Sequence, residues 1–73
     1  MKFDYGDVVK VSEIASQEFR PGDFGSVCGM RHIKSEGFKY KVSDALEIAM
    51  YTVEYADGTD MEIPEEWLTL YVS

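Results

Sequence analysis

Cys28 and His32 stand four residues apart in "GSVCGMRHIK", the spacing that brings a thiol and an imidazole together on one helix face as nucleophile and base. Gly25 and Gly29 argue against a helix there. On a strand rising about 3.3 Å per residue the pair lies roughly 13 Å apart, outside hydrogen-bond reach. Cys28 is therefore expected to be a half-buried strand residue and His32 a solvent-facing one, with no dyad between them. They are the only Cys and His in the chain, which rules out an intrachain disulfide and leaves too few ligands for structural zinc. Carboxylates also come in pairs, Asp57 with Asp60 and Glu65 with Glu66. General acid–base work needs two carboxyls converging in a cleft with separated pKa values, and a 73-residue domain has little room for one. The Asp-Gly-Thr-Asp string lacks the further oxygen ligands of a calcium loop. "RPGDFG" lacks the Lys and the following helix of a phosphate loop. The expectation is a protein that is not an enzyme and holds no metal or cofactor.

Charge gives a sharper signal. The net charge is −7, with residues 1–43 holding all seven Lys and Arg against six acids, and residues 44–73 holding eight acids and no base. Within "YTVEYADGTDMEIPEEWL" six acids meet no base at all. A field of this sign repels nucleic-acid phosphates, so no nucleic-acid partner is expected, although the bases within residues 31–41 leave a small local opening. The same field speeds encounter with a basic protein. It is also what solubility alone selects, and a solvated face is the plainer reading of the same residues.

The elements that must carry these residues are short. A chain of this size buries only about 60–65% of its unfolded surface, giving one thin core. The 45% hydrophobic content suffices for that core and argues against disorder. No apolar run reaches the roughly 18–20 residues that cross a bilayer, and no export signal opens the chain, so no membrane partner and a cytoplasmic location are expected. Val9 and Val11 share one face of a first strand. Pro21-Gly22 predicts a type II turn. Gly29 within a second strand predicts a bulge that puts Val27 and Met30 on the same side. Residues 35–48 form a long connection, in which "KYKV" could extend a strand and Asp44 with Glu47 could cap a short helical turn. Tyr51, Val53 and Tyr55 alternate with Thr52 and Glu54, Asp57-Gly58 predicts a type I′ hairpin turn, and Met61 and Ile63 alternate with Asp60 and Glu62. Pro64 and the acids of "PEEW" suit one turn of 3-10 helix, after which Leu68, Leu70 and Val72 form a last strand.

Five short strands with a 3-10 turn before the last predict an all-β, five-stranded SH3-like barrel in a single domain, residues 1–73. The blocks "GDVVKV", "RPGDFGSVCGM" and "YTVEYADGTDMEIPEEWL" resemble those of small bacterial SH3-like barrel domains. The middle block is similar to KOW-type and nitrile-hydratase β-subunit-like barrels. The layout as a whole, a stand-alone acidic domain, resembles SH3-like immunity proteins of polymorphic toxin systems. That resemblance implies an inhibitor of a basic partner such as a cognate toxin, and it transfers no catalytic residue. It rests on Gly6, Gly22, Gly25, Val27, Gly58 and Leu68, which determine fold rather than function.

On this reading Asp57, Asp60, Glu62, Glu65 and Glu66 supply charge complementarity to a basic protein. Trp67 and Tyr71, of opposite parity to Leu68, Leu70 and Val72, supply apolar anchors and faces for Lys and Arg. The competing reading makes Trp67 a plug over one end of the barrel, since large aromatics are highly buried on average. Two other roles stay open: a small scaffold or assembly subunit docking through Phe19, Phe24 and Phe38, and a Tudor-like reader of cationic peptides. Oligomeric state is not readable from the sequence.

Overall fold

Along β1 (Val8–Val11) Val9 and Val11 are buried while Val8 and Lys10 face out, the period of two expected of a strand with one covered face. β1 is one of five strands, with β2 (Phe24–Lys34), β3 (Glu47–Tyr55), β4 (Asp60–Pro64) and β5 (Leu68–Leu70). The computed structural model describes residues 2–72, among which there is no α-helix, only three single 3-10 turns. All strand pairs are antiparallel and form one sheet in the order β4-β3-β2-β1-β5.

The all-β, five-stranded reading holds, as does the 3-10 turn (Glu65–Trp67) before the last strand. Closure into a barrel does not. β4 and β5 are the two edges of the sheet, and no ladder joins them among the described residues. Pro64 has no N–H to extend β4, and the three residues of β5 pair with β1 alone.

The two glycine expectations in the N-terminal half are met. Arg20 C=O accepts from Asp23 N–H at 3.0 Å around Pro21 and Gly22, with Gly22 at φ +85°, the left-handed position of a type II turn. In the β2–β3 ladder Val27 faces Val53 and Gly29 faces Thr52, so Cys28 is the extra residue of a bulge. Met30 then falls opposite Tyr51, on the same core side as Val27. Gly25 is fixed by space: a Cβ there would stand 2.4 Å from Val53 Cγ1 and 2.7 Å from the Glu54 carbonyl.

Two expectations change. The β3–β4 hairpin is not a type I′ turn, because Asp57 does not have positive φ. Tyr55 C=O accepts from Gly58 N–H, Tyr55 N–H donates to Thr59 C=O, and Gly58 alone sits at φ +87°, giving the three-residue loop with glycine in the left-handed position. The 35–48 segment forms no helical turn at Asp44. A 3-10 turn (Ser35–Gly37) leads into an irregular loop, and Glu47 already opens β3. The loop sends Phe38, Tyr40 and Val42 back onto the core.

That core lies on the inner face of the sheet and includes Phe3, Val9, Val11, Phe19, Val27, Tyr51, Val53, Tyr55, Ile63, Trp67 and Leu68. Two buried tyrosine hydroxyls on β3 tie the loops to it. Tyr51 donates to Glu65 Oε2 at 2.7 Å and accepts from the backbone N–H groups of Lys2 and Phe3. Tyr55 donates to the Phe19 carbonyl at 2.9 Å. Trp67 is 7% exposed and meets Phe19, Phe38 and Tyr40 at ring-centroid distances of 5.3, 6.1 and 5.7 Å.

Trp67 is thus a plug and not a surface anchor. The parity argument failed because it carried strand alternation back into a 3-10 turn, where that period does not apply. Replacing the indole empties the centre of this cluster. Trp67→Ala is expected to cost about 3–5 kcal/mol, read as a fall in the urea midpoint with the slope unchanged.

Candidate functional site

The outer face of the sheet carries the polar and charged side chains of the strands, with Ile48 and Met50 of β3 the buried exceptions. Strand register sorts them into two zones. Toward β4, Thr52 faces Glu62 and Glu54 faces Asp60 across the β3–β4 ladder. Toward β5, Lys10 lies between Phe24 on β2 and Thr69 on β5. Ser26 joins the zones, facing Val8 on one side and Glu54 on the other.

Most of the acids chosen from sequence turn out to be used inside the fold. Glu62 accepts a two-pronged contact from Arg31, Nε to Oε2 at 2.7 Å and Nη2 to Oε1 at 2.6 Å. Arg31 sits on β2 opposite Met50, so its guanidinium reaches across β3 to β4. The contact holds Glu62 below the usual carboxylate range. Asp57 accepts from the Thr59 hydroxyl and N–H and from Arg20 Nη2, and these contacts push its pKa well below that range. Arg20 in turn stacks 4.4 Å above the Tyr55 ring. Burial pushes Glu65 up, but the Tyr51 hydroxyl and the Lys2 N–H outweigh it, and the net shift is downward.

The absence of interleaved bases therefore has a structural cause. The bases that meet Asp57 and Glu62 come from the first half of the chain, through pairing across the sheet and across the hairpin. Asp44 is met locally by Lys41, three residues before it, and Glu18 by Lys39 from the long loop, both between exposed side chains.

Two of the predicted acids keep a free carboxylate. Asp60 and Glu66 are exposed and make no ion pair among the described residues. Asp60 stands directly opposite Glu54, a like-charge pair that stabilises nothing and is destabilising at this spacing. Glu54 was missed as a site residue, yet the hairpin contained the signal: pairing Tyr55 with Thr59 puts Glu54 against Asp60. Tyr71 is 51% exposed, but it lies beyond β5 at the other edge of the sheet from Asp60. Its ring packs edge-on against Phe24, 43% exposed, at 5.1 Å. Lys10 Nζ stands 5.8 Å from the Phe24 centroid.

The structure thus separates what the sequence grouped. Asp60 and Glu54 form an acidic pair near the β4 edge, Glu66 lies in the third 3-10 turn, Tyr71 joins an aromatic pair near the β5 edge, and Trp67 is inside. Of the aromatics considered for docking, Phe24 is exposed, whereas Phe19 is buried and Phe38 packs against it at 6.3 Å. Cys28 is exposed on its bulge and His32 is exposed further along β2. Among the described residues no group of three or more His, Cys, Asp and Glu could hold a metal ion, and no helix is long and apolar enough to cross a membrane. Comparison with protein-family models, with curated proteins and with solved structures gives no match.

The internal pairing makes stability depend on pH at both ends. Glu62, Asp57 and Glu65 have folded pKa values below their unfolded ones, so their contribution is present above about pH 4 and is lost as pH falls through the lower folded values. Tyr51 and Tyr55 are raised by burial, so theirs is present below about pH 10 and is lost as pH climbs through the higher folded values. Urea midpoints measured from acid to alkaline pH are expected to form a plateau with both shoulders. Tyr51→Phe should lower the plateau by about 1–3 kcal/mol and weaken the alkaline shoulder.

Proposed function

We propose that this protein is a binding module that engages a basic protein through the acidic outer face of β3 and β4, and that it acts by covering or blocking that partner. The observation that carries the reading is the Glu54–Asp60 pair. Two acidic residues directly opposite each other in an antiparallel ladder are destabilising, and no base forms an ion pair with either among the described residues. Glu62 lies beside the pair on the same face, neutralised by Arg31. A Lys or Arg from a partner placed over Glu54 and Asp60 relieves their repulsion and gains charge-assisted hydrogen bonds. The remaining negative charge of the chain speeds the encounter.

The resemblance to immunity proteins of toxin systems suggests that the partner is a toxin with a basic active site, where the carboxylates stand in for substrate phosphates. An assembly role is the second reading, and the exposed Phe24–Tyr71 pair at the opposite edge of the sheet favours it. The two readings use different ends of one face and so can be tested apart.

Charge reversal at Asp60 separates a binding role from plain solvation. Asp60→Lys is expected to raise the stability of the free protein by about 0.2–1 kcal/mol, because it converts a like-charge pair into an opposite one. The same change should release a basic protein captured from lysate on the immobilised domain, at lower salt than wild type requires. A variant that is more stable and still retains that protein at the same salt would sink the reading, as would a column that captures no basic protein.

A further inference from the structure

The two edges of this sheet differ in chemistry. β4 presents Asp60, Glu62 and Pro64, the charges and the missing donor by which natural edges resist pairing with another chain. β5 presents none of these. From Trp67 to Val72 the chain has no charged residue and no proline. Of the eight exposed large hydrophobic residues, five (Val8, Phe24, Leu70, Tyr71 and Val72) lie on or beside this strand.

The backbone there is unpartnered and in register to be paired. Ser12 N–H donates to the Trp67 carbonyl, and Tyr71 N–H donates to the Val8 carbonyl, both across the β1–β5 ladder. Alternation then turns the N–H and C=O of Thr69 toward β1 and those of Leu68, Leu70 and Val72 away from the sheet. Leu68 N–H is used locally by the Glu65 carbonyl, which leaves Leu68 C=O and both backbone groups of Leu70 and of Val72 pointing outward.

We infer that β5 is a self-association edge, whose occupant is β5 of a second copy of this chain in antiparallel pairing about a twofold axis at Leu70. In that register the Leu70 residues of the two copies exchange N–H···O=C bonds. Each Leu68 carbonyl accepts from Val72 N–H of the other copy, so every outward group except the Val72 carbonyl is used once. Tyr71 falls beside Thr69 of the other copy and extends the Phe24–Tyr71 patch across the axis.

Charge selects a second copy as the occupant. The acids of residues 44–66 reside mainly on β3, β4 and the hairpin between them, at the far side of the sheet from β5. Pairing at β5 puts the two acidic edges outermost and joins two strands that carry no charged residue, whereas pairing at β4 would bring Asp60 and Glu62 of each copy together. A twofold contact requires a self-complementary surface, and an uncharged apolar strand is one. This inference does not rest on the basic-partner reading, since it uses the opposite edge of the sheet.

Sedimentation equilibrium of the purified protein from about 10 to 500 µM tests it, with dimer dissociating on dilution as the expected result. Leu70→Lys, which sets two ammonium groups against each other on the axis, should raise the dissociation constant about tenfold or more. Leu46→Lys, at an apolar residue exposed elsewhere, should leave it unchanged. Amide exchange of wild type supplies a second readout that needs no variant to fold. Leu70 and Val72 N–H have no acceptor among the described residues, so they should be protected at high concentration and exchange freely on dilution. A monomer throughout the range, or exchange of these two amides that ignores concentration, overturns the inference.

Discussion

The open seam between β4 and β5 is the constraint on which the rest of the structure depends. A closed barrel covers its own core with backbone, but five strands whose edges do not pair leave the inner face to be covered by something else. Here the cover is aromatic. Trp67, delivered by the 3-10 turn that bridges β4 to β5, meets Phe19 from the first 3-10 turn and Phe38 and Tyr40 from the long loop. The same bridge holds Glu65 against the Tyr51 hydroxyl, which also gathers the backbone of Lys2 and Phe3. With a single cysteine and no cluster of metal-ligating side chains among the described residues, a domain this small has little else with which to hold its loops in place. The 35–48 connection is therefore part of the core, and its length is explained by what it must cover.

This arrangement also accounts for the charge pattern. Strands laid down late in the chain carry acids, and the residues that pair with them come early, because antiparallel pairing puts β2 beside β3 and the first 3-10 turn beside the β3–β4 hairpin. Arg31 and Arg20 meet Glu62 and Asp57 for that reason. An acidic half-sequence is thus compatible with ordinary pairing within one domain. What pairing does not account for is Glu54 against Asp60, and the functional weight moves from the net charge to that one juxtaposition.

Much of the fold was legible because its signals are local. Val9 and Val11, the Pro21-Gly22 turn, the bulge that puts Val27 and Met30 on one side, and the 3-10 turn after Pro64 each follow from a few neighbouring residues. The site was far less legible, because membership depends on register between strands distant in sequence. Asp57, Glu62 and Glu65 are indistinguishable in sequence from Asp60, and only the partners Arg20, Arg31 and Tyr51, 37, 31 and 14 residues away, tell them apart. For Trp67 the anchor reading failed for a different reason, as strand parity was applied to a residue that is not in a strand, while the competing plug reading agrees with its burial. The failure of closure was not readable at all, since pairing between two edges leaves no trace in either strand alone.

The polarity of the sheet ties these points together. One edge concentrates acids and proline, the other concentrates exposed apolar side chains and free backbone groups, and Ser26 lies between them on the outer face. A single sheet with both edges blunted needs no partner, and one with both edges open aggregates. An asymmetric sheet is limited to one mode of pairing, because the acidic edge repels its own kind while the apolar edge accepts it. Joining two copies at β5 would then present two acidic faces at opposite ends of a continuous sheet. Each face would be free to take a basic partner, and neither would be spent on holding the pair together.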